Sequence, residues 1–131
     1  MSNRSLSVVV GNPKAGSRTR TIAEDLAERI AALTGASVEE TIDLADHTAE
    51  IFAWPSPALD ALADRVSRSA YVVFASPTYK ASYTGLLKAF LDRYPSDALA
   101  GTVAIPVFTI GSDAHALAVE HTLRPLLVEL G

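Results

Sequence analysis

The stretch Val8–Thr21, VVVGNPKAGSRTRT, restricts the possible folds of this chain more than any other. Its leading valines complete Leu6–Val10, a segment apolar almost throughout rather than at alternate positions. A strand of that kind buries both faces, as in a parallel sheet covered by helices on each side. The run stops at Gly11, Asn12 and Pro13, and helical periodicity begins near Thr19. A buried strand that turns sharply into a helix N-terminus is an anion-binding arrangement. The first N–H groups have no intrahelical partner, and the helix dipole favours negative charge there. Lys14 and Arg18 add positive charge, while Ser17, Thr19 and Thr21 add hydroxyls. The segment therefore reads as a phosphate site, with Ser17 or Thr19 also suited to be the helix N-cap.

The rest of the chain repeats the strand-then-helix order. Ile22, Leu26, Ile30 and Leu33 lie at helical spacing and predict an inward face, opposite Glu24, Asp25, Glu28 and Arg29. Gly35 is a C-terminal stop. Val38–Leu44 reads as a second, shorter strand whose Glu39 and Glu40 suit a sheet edge. A loop with Phe52, Trp54 and two prolines spans His47–Pro57, and Leu59, Leu62 and Val66 then mark a helix to about Ser69. Ala70–Ala75 is a buried strand, followed by SPTYKASYTG and a helix with Leu86, Leu87, Phe90 and Leu91 inside. Thr102–Phe108 is a fourth strand, in which Pro106 is awkward for a central position. A last helix is expected from about Asp113 to Leu130, with Leu117, Leu126, Leu127 and Leu130 on its apolar face.

Strands alternating with helices imply parallel pairing through right-handed crossovers, so the predicted fold is a flavodoxin-like, doubly wound three-layer α/β/α domain over residues 1–131. Ligands of such sheets bind beyond the carboxyl ends of the strands. Gly11–Thr19, Ser76–Ser82 and Thr109–Ser112 all fall there. A phosphate on the first loop and a planar group between the other two is the layout of a bound FMN.

Other chemistries fit less well. In GNPKAGSR the glycines match the spacing of the ATP-binding G-x-x-x-x-G-K-[ST], but Ser17 and Arg18 occupy the lysine and hydroxyl positions. The dinucleotide fingerprint G-x-G-x-x-G fails at Pro13. A chain without cysteine has no disulfides, thiolate metal sites or cysteine nucleophile, which removes a low-molecular-weight phosphatase. No His–carboxylate cluster has metal-ligand spacing. The net charge of -4 argues against nucleic acid. No apolar run approaches the roughly 20 residues of a membrane span, and Met1–Arg4 is too short for a signal peptide. The expected location is cytoplasmic.

Three segments resemble the NADPH-dependent FMN reductases of the flavodoxin-like superfamily. GNPKAGSRTRT looks like that family's G-S-P-R-x-x-S-R-[ST] phosphate loop. SPTYKASYTGLLKAFLD, Ser76–Asp92, is similar to P-x-Y-[KN]-x-[SA]-x-[ST]-G-x-L-K. TIGSDAHALAVEHTLRPLL resembles the T-G-G-x-x-A-H-x-L-A-V-x-x-x-L-[RK]-P-[VL]-L of the branch that supplies reduced flavin to alkanesulfonate monooxygenases. The resemblance implies that Asn12, Lys14, Ser17 and Thr19 surround the FMN phosphate, with Arg18 at its rim. Lys14 stands where the family has arginine, so a bidentate contact becomes a point charge. Pro77, Thr78, Tyr79 and Lys80 would line the flavin. Thr109, Gly111 and Ser112 would meet its polar edge, with Ile110 where glycine is common.

The resemblance further implies hydride transfer from NADPH (or NADH) by the cofactors themselves, with no side chain acting as acid or base. It implies a partner flavin-dependent monooxygenase and a homodimer or homotetramer. Arg18 is a candidate for the extra phosphate of NADPH. Pro125 predicts a kink or π-bulge near His121, whose carbonyl loses its donor. In the sulfonate-linked reductases a π-helical insertion at a subunit interface falls in this segment, and His121 takes its position. A quinone or azo reductase and a non-enzymatic flavodoxin-like electron carrier are the rival readings. The carrier's T-x-T-G-x-T phosphate loop is missing from the sequence. A five-stranded domain would continue with another strand and helix, so the segment ending at Gly131 is expected to lack them. That would leave Thr102–Phe108 as an open edge unless assembly covers it.

Overall fold

The computed structural model describes residues 4–131. The Met1–Arg4 stretch considered for a leader lies, apart from Arg4, outside them. The strands are β1 (Ser5–Val10), β2 (Ser37–Val38), β3 (Ile42–Asp43), β4 (Tyr71–Pro77) and β5 (Val103–Thr109). The helices are α1 (Arg18–Thr34), α2 (Pro57–Ser67), α3 (Gly85–Leu91) and α4 (Arg124–Glu129). Every pairing between these strands is parallel, in the order β2–β1–β4–β5, with β3 also on β1. This is the flavodoxin-like α/β architecture.

The central strands carry alternate residues to opposite faces. Leu6, Val8 and Val10 of β1 join Val73 and Ala75 of β4 beneath Ala23 and Ala27 of α1. Val9, Val72 and Phe74 enter the larger cluster on the other face, with Leu59 and Val66 of α2, Leu87 and Phe90 of α3, and Leu127 of α4. Ser7 is the exception in β1. It is fully buried, and its hydroxyl pairs with Ser69 at 2.7 Å. Ser17 caps α1 by accepting from the Arg20 N–H, and Gly35 ends it in the left-handed conformation at φ 77°.

Three expectations need correction. Val38–Leu44 is not one strand. β2 pairs with the start of β1 and β3 with its end, and the chain leaves the ladder between them, where Glu39 and Glu40 stand. Leu44 instead opens a 3-10 turn over Leu44–His47, capped by Asp43. On α1, Ile22 and Leu33 are 42% and 88% exposed. The buried stripe is Thr19, Ala23 and Ala27, flanked by Leu26 and Ile30, because the small side chains let the helix lie close on the sheet. The segment from Asp113 to Leu130 is not one α-helix. A 3-10 turn spans Asp113–His115, a π-helix Val119–Leu123 and α4 the remainder, and Leu117 is 66% exposed. Pro125 has no N–H to offer the His121 carbonyl, and the Arg124 N–H reaches back to Val119 O, the wider π spacing. The bulge predicted at His121 is therefore a full π turn with that residue at its centre.

Pro106 pairs opposite Phe74 in β5, which among the described residues bonds only to β4. A strand with one free edge tolerates the missing donor. The His47–Pro57 loop is held from α3's end: Arg93 donates to Ala53 O at 2.8 Å and pairs with Asp60 at 3.0 Å. Its guanidinium lies 4.8 Å from the centre of the Trp54 ring. No described helix is long and apolar enough to cross a membrane.

The rotated stripe on α1 can be measured. Ile22→Ser should shift the free energy of urea unfolding by no more than about 0.5 kcal/mol. Ala23→Leu, placed where the helix meets the sheet, should cost about 1–3 kcal/mol by overpacking.

Candidate functional site

Beyond the carboxyl ends of β1, β4 and β5 lies a crevice of about 250 Å³ lined by Asn12, Arg18, Thr19, Pro77, Thr78, Thr109, Ile110 and Gly111. None of these is acidic, and Arg18 is charged. The floor is tied together by hydroxyls and amides. Asn12 donates to Thr19 Oγ1 at 3.2 Å, and Thr19 Oγ1 lies 3.1 Å from Thr109 Oγ1. The N–H and hydroxyl of Thr78 both donate to Thr109 O at 3.0 Å. Loops far apart in sequence thus share one hydrogen-bonded surface. Arg18 and Thr19 open α1, so their N–H groups have no intrahelical carbonyl.

The turn that makes this possible needs glycine at position 11. The Gly11 N–H donates to Ala75 O at 2.8 Å, and its carbonyl accepts from Thr84 Oγ1 at 2.5 Å. A Cβ on Gly11 would lie 2.6 Å from Leu87 Cβ. Thr84 also caps α3 by accepting from the Leu87 N–H, and its own N–H donates to buried Ser76 Oγ at 3.0 Å.

The sequence-predicted residues divide into two groups. Asn12, Arg18, Thr19, Pro77, Thr78, Thr109 and Gly111 line the crevice. Lys14, Ser17, Tyr79, Lys80 and Ser112 do not. Ser17 is buried with its oxygen engaged as the N-cap of α1. Lys14 is exposed, and its N–H donates to Asn12 Oδ1 at 2.9 Å. Ser112 caps the next 3-10 turn through the Ala114 N–H. Tyr79 pairs with Ser82 across a tight hairpin whose two central residues, Lys80 and Ala81, are left-handed at φ 52° and 64°. Neither is glycine, so the tip is strained. Exposed His121 sits in the π-helix, away from the crevice lining.

Sequence reasoning missed Asp43 and Thr84. A threonine just before Gly85 and an apolar run is an N-cap signal that could have found Thr84. Nothing local marks Asp43. Its importance comes from the β1–β3 register, which sets it beside Val10. Its side chain is 1% exposed, and it accepts from the Gly16 N–H at 3.1 Å and from Arg20 at 3.4 Å. Partial burial pulls the Arg20 guanidinium down, but hydrogen bonds and charge from Glu24 and Asp43 outweigh it and hold its pKa above the ordinary value. Among the described residues no group of three or more His, Asp or Glu could hold a metal.

A strand-loop-helix turn thus faces two polar strand-end loops, and comparison with known proteins gives the family. The family model for NADPH-dependent FMN reductase matches residues 5–131. The chain belongs to that family. A relative from Escherichia coli (strain K12), FMN reductase (NADPH), is 34% identical over 126 residues, covering 93% of this chain and 64% of that protein. NADH-dependent FMN reductase SfnF of Pseudomonas putida is 39% identical over 61 residues, 47% of this chain and 33% of that protein. The chain thus spans less than two thirds of the length of these relatives. The apo crystal structure of an NADH:FMN oxidoreductase, EMOB, superposes with a TM-score of 0.90 at 35% identity, covering 98% of this chain and 70% of that one.

The Gly11–Thr84 contact makes two predictions. Gly11→Ala should destabilise the protein by about 1–3 kcal/mol, since Leu87 Cβ has no freedom to move aside. Thr84→Val keeps the shape but leaves the Gly11 carbonyl and the Leu87 N–H unpaired, and should cost about 1–3 kcal/mol. Urea denaturation followed by circular dichroism measures both.

Proposed function

We propose that this chain is the flavin-binding domain of an NAD(P)H-dependent FMN reductase, and that the crevice beyond β1, β4 and β5 holds FMN. The observation that carries the reading is the convergence of the α1 N-terminus with Thr78 and Thr109 on one acid-free surface. The helix N-terminus and the Thr19 hydroxyl suit a phosphate, with Asn12 and Ser17 shaping the loop and Lys14 and Arg18 adding charge around it. Pro77, Thr78, Tyr79 and Lys80 on one side, and Thr109, Gly111 and Ser112 on the other, would flank the ring. Ile110 lines the crevice where a smaller residue would leave more room. At about 250 Å³ the crevice is shallow beside the roughly 300–1,000 Å³ of typical ligand pockets. It suits a flavin held along one edge with a face left open.

FMN, held there, would supply the redox chemistry of two-electron transfer from NAD(P)H, with a proton taken up from solvent. The protein binds and orients. The Thr78–Thr109 hydrogen bonds keep the two strand-end loops at fixed separation, and backbone N–H groups of the Thr109–Gly111 turn would favour negative charge on a ring held there. Arg18, exposed at the crevice rim, is the candidate for meeting the extra phosphate of NADPH. The alkanesulfonate-type segment and its π-helix support a reading in which reduced FMN passes to a flavin-dependent monooxygenase and the chain assembles as a homodimer or homotetramer. The expected cellular location is the cytoplasm.

Oxidation of NADPH by the purified protein with free FMN tests the reading. Turnover on FMN supports it, preferential turnover on quinones or azo dyes favours the flavin-retaining rival, and flavin binding without turnover favours an electron carrier. Arg18→Gln should raise KM for NADPH about tenfold, the scale of one lost charge-assisted contact, and change KM for NADH by less than about twofold. Steady-state kinetics with the two nucleotides measures the difference.

A further inference from the structure

The structure assigns Asp43 as a positioning residue that sets the selectivity of the site for phosphorylated over unphosphorylated flavin, acting through the amide of Gly16. This rests on the FMN reading above and adds a residue that lies outside the crevice. Asp43 is not among the residues that line the crevice. It stands at the end of β3, in register with Val10, the last residue before the anion loop. Its carboxylate is 1% exposed and surrounded by donors from three separate segments. Gly16 N–H reaches Oδ2 at 3.1 Å, Arg20 Nη1 reaches the same oxygen at 3.4 Å, and Ala45 N–H reaches Oδ1 at 3.4 Å.

These contacts determine where the loop's donors go. Gly16 is left-handed at φ 61°, and Asp43 takes its N–H. Ser17 caps the helix through the Arg20 N–H. The amides that remain without intrahelical partners are those of Arg18 and Thr19, the two α1 residues that line the crevice. With the start of the loop held by Gly11 on Ala75 and its end by Gly16 on Asp43, the amide pair is fixed before any anion arrives. Such pre-organisation strengthens binding by removing ordering costs.

Coulomb's law alone predicts the opposite sign. A buried carboxylate close behind an anion site weakens anion binding, and its removal should tighten it. Arg20 offsets that charge, held between Asp43 and Glu24, while Glu24 accepts from Thr41 Oγ1 at 2.6 Å. The charge of Asp43 is therefore partly offset, the more exposed Glu24 being screened by solvent, and the geometric effect on the loop dominates. An amide in its place is a poor substitute, because its NH₂ would meet either the Ala45 N–H or Arg20, donor against donor.

The test measures FMN and riboflavin affinities, by quenching of flavin fluorescence, for wild type, Asp43→Ala and Asp43→Asn, with circular dichroism and melting curves as folding controls. Riboflavin shares the ring and ribityl chain but has no phosphate to report on the loop. Wild type should prefer FMN. Asp43→Ala should weaken FMN about tenfold or more and riboflavin by less than twofold, and Asp43→Asn should show a smaller loss in the same direction. If Asp43→Ala does not fold, the FMN-to-riboflavin ratio of Asp43→Asn decides. Equal losses for both flavins, or unchanged FMN affinity, would overturn the assignment and leave Asp43 a stability residue. Tighter FMN binding by Asp43→Asn would overturn it in favour of the charge effect. A wild type that binds both flavins equally, or neither, would remove the phosphate-site reading itself and this inference with it.

Discussion

The close approach of the Gly11 backbone to α3 is the contact on which the rest of the site depends. The residue has no room for a side chain, its N–H is held by Ala75 and its carbonyl by Thr84. These bonds join the end of β1 to the end of β4 and to the start of the following helix. Once that junction is made, the anion loop has one exit direction, and α1 must begin where its first amides face the crevice. The same Thr84 hydroxyl caps α3, so the element that supports the loop is itself terminated by it. Losing the junction would separate the two halves of the site while leaving each strand intact.

The sheet beneath supplies rigidity by division of labour. Alternate residues of β1 and β4 feed two clusters, one under α1 and a larger one under α2, α3 and α4. The strand ends are therefore held from both faces, and the polar loops beyond them inherit fixed positions without packing of their own. The donors of these loops are mostly used on one another, as in the Asn12–Thr19–Thr109 chain and the two bonds from Thr78 to Thr109 O. In the proposed reading, the pair of amides at the head of α1 and the positive rim at Arg18 are left for a phosphate.

Much of this was legible in the residues because the signals are local. The near-continuous apolar runs of β1 and β4 implied burial on both faces, Gly35 marked the end of α1 and Ser17 or Thr19 its start, and Pro125 implied a disrupted ladder at His121. The failures have a common cause. Ile22 and Leu33 satisfy helical spacing as well as Ala23 and Ala27 do, and hydrophobicity alone favours the larger residues. The sheet instead selects the small ones, because close packing needs a thin surface. Val38–Leu44 has the composition of one strand, yet its two ends pair with different parts of β1, a matter of register that the segment does not contain.

The candidate site divides along the same line. The sequence by itself determined which groups are available: a strand-to-helix loop with Lys14, Ser17, Arg18 and Thr19, two hydroxyl-bearing strand ends, and no thiol. Each of those depends on residues a few positions apart, and their properties need no partner to be read. Only the tertiary structure decided which of them share a surface. It brought Thr19 to Thr109 across 90 positions, drew Ser17 and Ser112 into capping, and set the buried carboxylate of Asp43 under Gly16. Parallel pairing joins strands that are distant in the chain, so contacts at their ends follow from strand order and register rather than from neighbouring residues.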